Sequence, residues 1–579
     1  MKYLLAACAT VLTVLVFGYD YGVDPNLAQV LPYVNRLLEP SLYTGDAFVS
    51  SFSAFPSVYP RLAALGASLM SLEKLHLAAY LAARFAFFLV VFELGLELFR
   101  SRRSAAAAVL LAALSAQVNV LTPLGEDPLI KTALYQSTLA GLACAASLFY
   151  FLKSRYRPAF ALLGAALFLN GLAAAYLAIL FAAASPGAWD RRLRNGWLLF
   201  VAVFACWAAW AASLPNPGGG AGPAYLAVLR RWYPGHYFPF SWTAAKWFGA
   251  AVLVPLNALL IIPGLKGCSA PGRIKAFLLA FAAMWGAAFV FGELLPERHL
   301  VALQLLRSDS LFCLLGVVFA GDLLRRLLEG EAAGDWALAA YAALSQTGLN
   351  ATLFVLPLPF LLAARFYGNG KAFRAAALGG ALCCAFLAFH ADPAAVKKTA
   401  LALLLLALAA AAGLSYRSAV SRRLAFGLAL LIVLMPLLPV ANYRLRNGQW
   451  GNYPPETSDW VGLQLWARAN TQRNALFLVP PGTYGFRVFS LRSPVVEWLD
   501  CSAMHWAPGF EKDWARRMTD MNGPGGGDGR DLGYGRLDER ALASLAAKYG
   551  AGYAVRRAAD AQLRLPEVYA NASFTVYAL

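Results

Sequence analysis

The sequence predicts a membrane α-helical bundle followed by a soluble α/β domain. Of its 579 residues, 60% are hydrophobic and only 14% are charged, whereas soluble proteins carry roughly 25% charged residues. Apolar runs that approach the ~20 residues of a transmembrane helix recur as far as residue 441, and they stop after Asn442. We therefore predict about 13–15 transmembrane helices in residues 1–441 and a soluble domain in residues 442–579.

The order of the apolar runs gives the predicted helices. Single spans are predicted at 3–18, 75–98, 105–121, 133–151, 196–213, 243–264, 276–292, 311–321, 375–391, 400–414 and 424–441. The segments 158–187 and 336–366 are too long for one span, and each contains an Asn-Gly or Gly-Leu-Asn break, so we interpret each as a hairpin of two short helices. The start of the chain also resembles a signal peptide, but a retained first span is favoured because the next spans need it for orientation.

Basic residues lie in short clusters between the apolar runs, which is typical of cytoplasmic loops. Because the net charge of +18 is dispersed in this way, we exclude nucleic acid as a partner. An odd number of crossings then puts the N-terminus in the cytoplasm and the C-terminal domain outside it. Three loops on the outer side are long, at 19–74, 214–242 and 293–310.

Short apolar strings and polar residues alternate after Asn442, which predicts an α/β domain. Helices are predicted for SDWVGLQLWARANT, FEKDWARRMTDM and DERALASLAAKYG, the last with Asp538 as its N-cap and Gly550 as its stop. Strands are predicted for ALFLVPP, RVFSLRSPVVEWL, YAVRRA and SFTVYAL. The run GPGGGDGRDLGYG predicts a flexible loop.

The first outer loop contains three aspartates among aromatic residues: Asp20, Asp24 and Asp46. Long structured loops beside a scaffold often carry function. Asp24 is followed by Pro25, however, and this pair is equally typical of a helix start, with Asp as the N-cap and Pro in the first turn. Both interpretations of Asp24 therefore stay open, a helix cap and a catalytic or ligand-binding carboxylate.

Basic side chains are the candidate ligands of an acidic substrate, because Arg, Lys and His hold phosphate groups well. The second and third outer loops supply Arg230, Arg231, His236, Arg298, His299 and Arg307. Basic residues near the bilayer also serve as ordinary interfacial anchors. In the C-terminal domain, Arg487 and Arg492 follow a strand end, where they either bind an acidic group or pair with Glu497, Asp500 or Asp513.

No motif predicts a metal site. The eight cysteines show no CxxC spacing and the five histidines no HExxH pattern, so neither a zinc site nor a disulfide framework is predicted. The run Gly525 to Gly527 lacks the Gly-Lys-Ser/Thr of a P-loop. Whether a divalent cation, Mg or Mn, serves as a cofactor stays open, and the sequence contains no motif that would bind one.

The layout resembles the GT-C class of membrane glycosyltransferases. The resemblance rests on a first span, an outer loop that contains DPNLAQVLPYV and LEPSLYTGDAF, many further spans and an outer C-terminal domain. It implies a polyprenyl-phosphate sugar donor and a catalytic acid in the first outer loop, which matches Asp24 best and Asp46 second. The tail TQRNALFLVPPGTYGFRVFSLRSPVVEWLD with KDWARR resembles bacterial membrane proteins that share a C-terminal domain of unknown function. There is no DxD or Asp-Glu pair in the first loop, and no WWD-like motif in the tail.

The resemblance implies glycosyl transfer on the outer face of a bacterial inner membrane. Asp24 and Asp46 are then the candidate catalytic residues. The candidate substrate ligands are Asp20 and the eight basic residues named above. The partners are membrane lipid and a lipid-linked sugar donor, and the acceptor is a lipid, a glycan or a protein. Two alternatives stay open: a transporter or flippase of lipid-linked material, and a non-catalytic membrane assembly protein.

Overall fold

The computed structural model describes residues 1–186, 189–215, 224–329, 358–367, 455–523 and 533–579, with a few isolated positions between 335 and 380. The predicted spans 375–391, 400–414 and 424–441 lie outside the described residues. So do most of the predicted hairpin 336–366 and the predicted domain boundary at residues 441 and 442. The described residues form a helical bundle, a set of outer loops and a small α/β domain.

Apolar helices build the bundle. Its first half contains α1 (Lys2–Phe17), α5 (Leu72–Phe99), α6 (Arg102–Leu114), α8 (Gln136–Leu152), α9 (Tyr156–Leu169), α10 (Gly171–Ala184) and α11 (Arg191–Ser213). Its second half contains α14 (Ala244–Gly264), α15 (Pro271–Phe289), α17 (Asp309–Leu328) and α18 (Leu358–Tyr367). Among the described helices, four are long and apolar enough to cross a membrane: Leu72–Phe99, Arg191–Ser213, Ala244–Gly267 and Pro271–Leu294. The chain is therefore a polytopic helical bundle, as predicted.

The predicted hairpin at 158–187 is present as α9 and α10. Asn170 separates them, and its side chain accepts the backbone N–H groups of Leu172 and Ala173 as the N-cap of α10. The rings of Phe160 and Phe181 lie 5.6 Å apart, so the start of α9 meets the end of α10. The two short helices are thus antiparallel, and Asn170 marks the turn between them.

The two ends of the bundle differ in charge. At one end, Lys2 pairs with Glu93 at 2.8 Å, which places the start of α1 beside the last turns of α5. Arg103 pairs with Glu329 at 3.1 Å at this same end. Because α1 and α5 are antiparallel, the segment that joins them lies at the opposite end of the bundle. The predicted first outer loop is thus far from the basic clusters.

Short helices fill the outer loops. They are α2 (Pro25–Leu38), α3 (Ala47–Ser51), α4 (Tyr59–Ala67), α7 (Ala116–Asn119), α12 (Ala224–Trp232), α13 (Pro234–Tyr237) and α16 (Arg298–Ala302). Single turns of 3₁₀ helix lie in the same loops at Phe52–Ala54, Pro239–Ser241 and Leu305–Ser308, and Val290–Leu294 is a π turn. Together the loops form a folded layer against which the C-terminal domain packs.

A five-stranded sheet forms the centre of the C-terminal domain. Its strands are β1 (Leu476–Leu478), β2 (Ser493–Pro494), β3 (Tyr553–Arg557), β4 (Glu567–Ala570) and β5 (Phe574–Ala578), in the order β2-β1-β3-β5-β4. The first three in that order are parallel, and β3, β5 and β4 are antiparallel. Helices α19 (Pro455–Asn470), α20 (Phe486–Ser490), α21 (Phe510–Asn522) and α22 (Glu539–Tyr549) accompany them, with 3₁₀ turns at Trp498–His505 and Tyr534–Arg536. The predicted α/β domain is confirmed.

One predicted strand is wrong. The segment RVFSLRSPVVEWL was expected to be extended, but most of it lies in α20, the two-residue β2 and the start of the 3₁₀ segment Trp498–His505. Gly485 and Leu491 flank α20 with φ of +81° and +51°, which an extended strand does not allow. The short strand β4 was not predicted. Asp538 and Gly550 do cap α22, as predicted.

The C-terminal domain packs directly on the first outer loop. Ser502 Oγ donates to Gln29 Oε1 at 2.5 Å, Trp506 Nε1 donates to Ser51 Oγ at 3.1 Å, and Tyr43 Oη donates to the carbonyl oxygen of Arg487 at 2.7 Å. The contacts come from α2, α3 and the turn between them. The domain therefore lies at the end of the bundle opposite the basic clusters.

This arrangement makes a prediction about topology. From the positive-inside rule we expect the basic end to face the cytoplasm and the C-terminal domain to lie on the other side. A periplasm-active reporter fused after Leu579 is expected to be active in cells, and a cytoplasm-active reporter at that position is not. The reverse pattern of activities would contradict the orientation.

Candidate functional site

A large cavity lies between the outer loops, the C-terminal domain and the helices α9 to α11. Its volume is about 1360 Å³, which exceeds the ~300–1,000 Å³ of typical small-molecule sites. Its lining comes from α2, the acidic loop at residue 126, the second and third outer loops, and the 3₁₀ segment Trp498–His505. No single segment of the sequence forms the site.

One wall of the cavity is apolar. The wall consists of side chains from α9, α10 and α11: Leu167, Leu169, Leu172, Ala175, Ala178, Ile179, Phe200, Phe204 and Trp207. Helix α11 has 23 residues, of which three are buried: Leu193, Gly196 and Phe200. Of the four described helices that are long enough to span a membrane, α11 thus has the lowest burial, and membrane lipid would surround its outward face.

A chain of charged and polar side chains lies at another part of the wall. Lys246 Nζ lies 3.0 Å from Glu126 Oε1, and His236 Nδ1 lies 3.8 Å from Glu126 Oε2. Arg307 donates a hydrogen bond to His236 Nε2, and its Nη1 lies 3.7 Å from Asp127 Oδ2. Lys131 also pairs with Asp127. The chain joins the acidic loop to the second and third outer loops.

Burial and neighbouring charges fix the protonation states along this chain. The hydrogen bond with His236, helped by Lys246, lowers the pKa of Glu126 to about 2. Burial, helped by the positive charge of Arg307, lowers the pKa of His236 to about 4. At neutral pH Glu126 is therefore ionised and His236 is neutral. Among the described residues that line the cavity, the charged ones are Glu126, Lys246 and Arg307, which leaves one positive charge in excess.

The backbone of the acidic loop is held tightly against Arg307. Asp309 Oδ2 accepts the backbone N–H groups of Leu124 at 2.7 Å and of Gly125 at 3.0 Å. A Cβ on Gly125 would lie 2.4 Å from Arg307 Cα, so only glycine fits at this position. The close approach sets the position of the Arg307 backbone relative to Glu126 and Asp127.

Glu126, Asp127 and Lys131 were not predicted as site residues, whereas Lys246 was noted as one of the basic residues of the second outer loop. The acidic run Gly125-Glu126-Asp127-Pro128 lies in the short loop after α7, and short loops were given less weight than long ones. The sequence did contain a signal for this part of the site, the adjacent pair Glu126-Asp127. The first outer loop lacks an Asp-Glu pair, whereas the acidic loop after α7 has one.

The predicted aspartates Asp20 and Asp24 are loop-organising residues in this structure. Asp24 Oδ1 accepts the backbone N–H groups of Asn26 and Leu27 at 2.9 and 3.0 Å as the N-cap of α2. Asp20 is buried, and its Oδ1 accepts the backbone N–H of Val23 at 3.1 Å. Neither lines the cavity, whereas Asn26, two positions after Asp24, does. Asp24 thus caps the helix whose first turn reaches the cavity lining through Asn26.

Asp46, the second predicted catalytic residue, lies in a buried ion-pair cluster. Arg487 bonds to Asp46 Oδ2 at 2.6 Å, to Glu497 Oε2 at 3.0 Å and to Asp500 Oδ2 at 2.9 Å. All four side chains are at most 5% exposed. Asp46 and Arg487 are therefore closed to a substrate in this structure, and Arg487 makes two of the three pairs considered for it.

The other predicted basic ligands occupy different positions. Arg492 donates to the carbonyl oxygens of Arg468 and Thr471 at 2.9 and 2.6 Å, so it holds the backbone of the domain. Arg230 donates to the carbonyl oxygen of Gly292 and lies over the ring of Phe238. Arg231 lies over the ring of Trp232, and Arg298 lies over the ring of Tyr225. His299 pairs with Glu297. Of the eight predicted basic ligands, His236, His299 and Arg307 line the cavity.

The described residues do not fit a divalent cation. No group of three or more His, Cys, Asp or Glu side chains in the described part of the chain is placed to hold a metal ion. Glu126 and Asp127 each pair with a lysine, and the three carboxylates around Arg487 enclose a guanidinium group. We therefore derive no chemistry from Mg or Mn.

Two comparisons with known proteins give matches. Residues 458–521 match the family described as Domain of unknown function (DUF6798). The C-terminal region thus contains a domain of unknown function, as the resemblance predicted. No curated protein matches the chain. Among solved structures, the chain is similar to the crystal structure of ArnT from Cupriavidus metallidurans bound to undecaprenyl phosphate, at 15% identity over 99% of this chain and 97% of that chain, with a TM-score of 0.48.

The packing of Gly125 on Arg307 makes a prediction about stability. Gly125→Ala is expected to cost about 1–3 kcal/mol, the usual cost of overpacking, because the atoms that the Cβ meets are backbone atoms. Gly249→Ala is the matched control, since a Cβ there has nothing within 4 Å. Thermal unfolding of both variants in detergent measures the difference. Equal midpoints for Gly125→Ala and Gly249→Ala would contradict the close approach.

Proposed function

We propose that this protein transfers a sugar from a polyprenyl-phosphate donor to a lipid, glycan or protein acceptor at the outer face of a bacterial inner membrane. The observation that carries the proposal is the composition of the cavity wall. A lipid-phosphate donor has a long apolar chain and an anionic head group, and this one cavity offers an apolar wall and a cationic region. The GT-C resemblance of the sequence agrees with this ligand.

The apolar wall suits the prenyl chain. Burying apolar surface contributes roughly 25 cal/mol per Å², so a hydrocarbon chain along α9, α10 and α11 would supply much of the affinity. The helices that form this wall also lie where membrane lipid surrounds the bundle. A donor that diffuses in the bilayer can therefore reach the cavity sideways, without leaving the membrane.

The cationic region suits the phosphate. Arg307 and Lys246 supply the positive charge, and the neutral His236 between them can reorient its ring N–H toward an anion. Two buried donors in the wall have no hydrogen-bond partner among the described residues, the Nε of Arg307 and the Nε1 of Trp242. An unpartnered buried donor costs roughly 1–3 kcal/mol, and a phosphate oxygen would satisfy it. The phosphate ligands we propose are thus Arg307, Lys246, His236 and Trp242.

The reaction needs a base for the acceptor. The acceptor oxygen attacks the anomeric carbon, the bond from that carbon to the phosphate oxygen breaks, and the acceptor proton passes to a carboxylate. Attack opposite the leaving phosphate inverts the anomeric centre. The pKa of about 2 makes Glu126 a weak proton acceptor, so we assign Glu126 to holding Lys246 and His236. We propose Asp24 as the base, because it caps the helix whose first turn lines the cavity.

The first test concerns the phosphate. Arg307→Ala is expected to weaken binding of a polyprenyl phosphate at least about tenfold, because a charge-assisted hydrogen bond contributes roughly 1.5–3 kcal/mol. Arg307→Lys is expected to restore only part of it, because the planar fork that reaches Asp127 and His236 is lost. Lipid binding to the purified variants measures both effects, and Arg230→Ala, outside the cavity lining, is the control. Wild-type affinity in Arg307→Ala would make Arg307 an interfacial anchor.

The second test separates a base from a helix cap. Asn caps a helix about as well as Asp, so Asp24→Asn is expected to fold and bind the lipid but to lose transfer to the acceptor. Asp46→Asn is expected to keep the chemistry and lose stability, because Asp46 pairs with the buried Arg487. Glu126→Gln is expected to weaken lipid binding. Turnover assays with thermal unfolding separate these outcomes, and full turnover in Asp24→Asn would leave Asp24 as a cap.

A further inference from the structure

A second polar region of the cavity wall carries no charge. We call it the neutral patch, and it consists of six side chains that line the cavity: Asn26, Gln29, Tyr237, Gln304, Ser502 and His505. They come from the first outer loop, the second and third outer loops, and the C-terminal domain. The cavity thus has an apolar wall, a cationic region and this neutral patch.

His505 organises one half of the patch. Its Nε2 lies 2.7 Å from Tyr237 Oη, and its Nδ1 lies 3.0 Å from Tyr225 Oη. Gln304 Nε2 donates to the same Tyr237 hydroxyl at 3.2 Å. Burial, helped by the positive charge of Arg307, lowers the pKa of His505 to about 3, so the ring is neutral at pH 7. His505 lines the cavity, so the accessible surface of its side chain is available to a ligand there.

Gln304 is held in an unusual backbone conformation. Its φ of +48° and ψ of +47° lie in the left-handed region, which is unfavourable for a residue other than glycine. Its Oε1 is buried without a hydrogen-bond partner among the described residues. The left-handed backbone and the unpartnered oxygen thus belong to one cavity-lining residue, and an O–H or N–H group that reached the oxygen would stabilise it.

The other half of the patch joins α2 to the C-terminal domain. Gln29 accepts from Ser502 Oγ at 2.5 Å and donates its Nε2 to the carbonyl oxygen of Pro25 at 3.1 Å. Asn26 lies one turn earlier on α2. Amides and hydroxyls held in this way offer both donors and acceptors at fixed positions, which is the chemistry that recognises the hydroxyl groups of a sugar.

The charges of the lining decide which kind of sugar fits. Glu126 is the single carboxylate among the described lining residues, and it is bound by Lys246. An amino sugar would therefore find no free counter-charge among the described lining residues and would face Lys246 and Arg307. An acidic sugar would compete with the phosphate for the one excess positive charge. A neutral sugar meets neither cost.

From this arrangement we infer that the neutral patch binds the sugar of the donor, and that this sugar is uncharged and carries several hydroxyl groups. The inference rests on the proposed function, since it assigns the second half of the same donor. It gives the C-terminal domain a direct part in the site, through Ser502 and His505, and makes Gln304 and His505 residues that determine specificity.

The test compares three lipids with the full chain in nanodiscs: a polyprenyl phosphate without sugar, the same lipid with a neutral hexose, and the same lipid with an amino hexose. We expect the neutral glycolipid to bind roughly five- to tenfold tighter than the sugar-free lipid, the gain of one or two hydrogen bonds. We expect the amino glycolipid to bind no tighter than the sugar-free lipid. An amino glycolipid that binds as tightly as the neutral one would overturn the inference.

Two variants locate the effect. Gln304→Met keeps the side-chain volume and His505→Phe keeps a flat ring, and both remove hydrogen-bonding groups, so each is expected to abolish the gain from the neutral sugar and to leave binding of the sugar-free lipid unchanged. Gln472→Met, at an exposed position of the C-terminal domain, is the control. Equal losses for both lipids would overturn the role of the patch. If the wild-type chain binds none of the three lipids, the proposed function itself fails.

Discussion

The buried guanidinium of Arg487 is the interaction on which the rest of the outer structure depends. It joins Asp46 of the first outer loop to Glu497 and Asp500 of the C-terminal domain, and both of these parts contribute residues to the cavity lining. Removing one partner of a buried ion pair typically costs 3–5 kcal/mol, because a charge is left unpaired. Burial raises the pKa of Glu497 to about 7 and also raises the pKa of Asp500, so Glu497 is partly protonated near neutral pH. The site thus exists only while the domain is docked.

The sequence predicted the elements whose signals are local. Asn170 marked the turn between α9 and α10 because an Asn-Gly pair interrupts an apolar run, and Asp538 and Gly550 marked the ends of α22 because capping depends on a few neighbouring residues. The segment around Phe486–Ser490 was predicted as a strand because its apolar residues suit one. Its helix depends on two left-handed residues and on Arg487, whose partner Asp46 lies far away in the sequence. Tertiary contacts of this kind leave no local pattern.

The candidate site was predicted in part for the same reason. Arg307 and His236 were selected as basic residues of long outer loops, and the structure brings them together. Asp46 was selected as an acid in a loop, but its buried partner removes it from the cavity. Glu126 and Asp127 were passed over because their importance comes from Arg307, which packs on Gly125. Which polar residues share a cavity is decided by the packing of loops that are distant in sequence.

The charged residues of the cavity are positioned before any ligand arrives. Asp309 binds the backbone of the acidic loop, Gly125 fixes its distance from Arg307, and Asp127 with His236 then holds the guanidinium group. Stabilising an anion is most effective when its partners do not have to reorient at the moment of binding or reaction. The region has one excess positive charge, because Glu126 and Asp127 neutralise two of the three cations Arg307, Lys246 and Lys131. A phosphate bound here would neutralise the positive charge that remains.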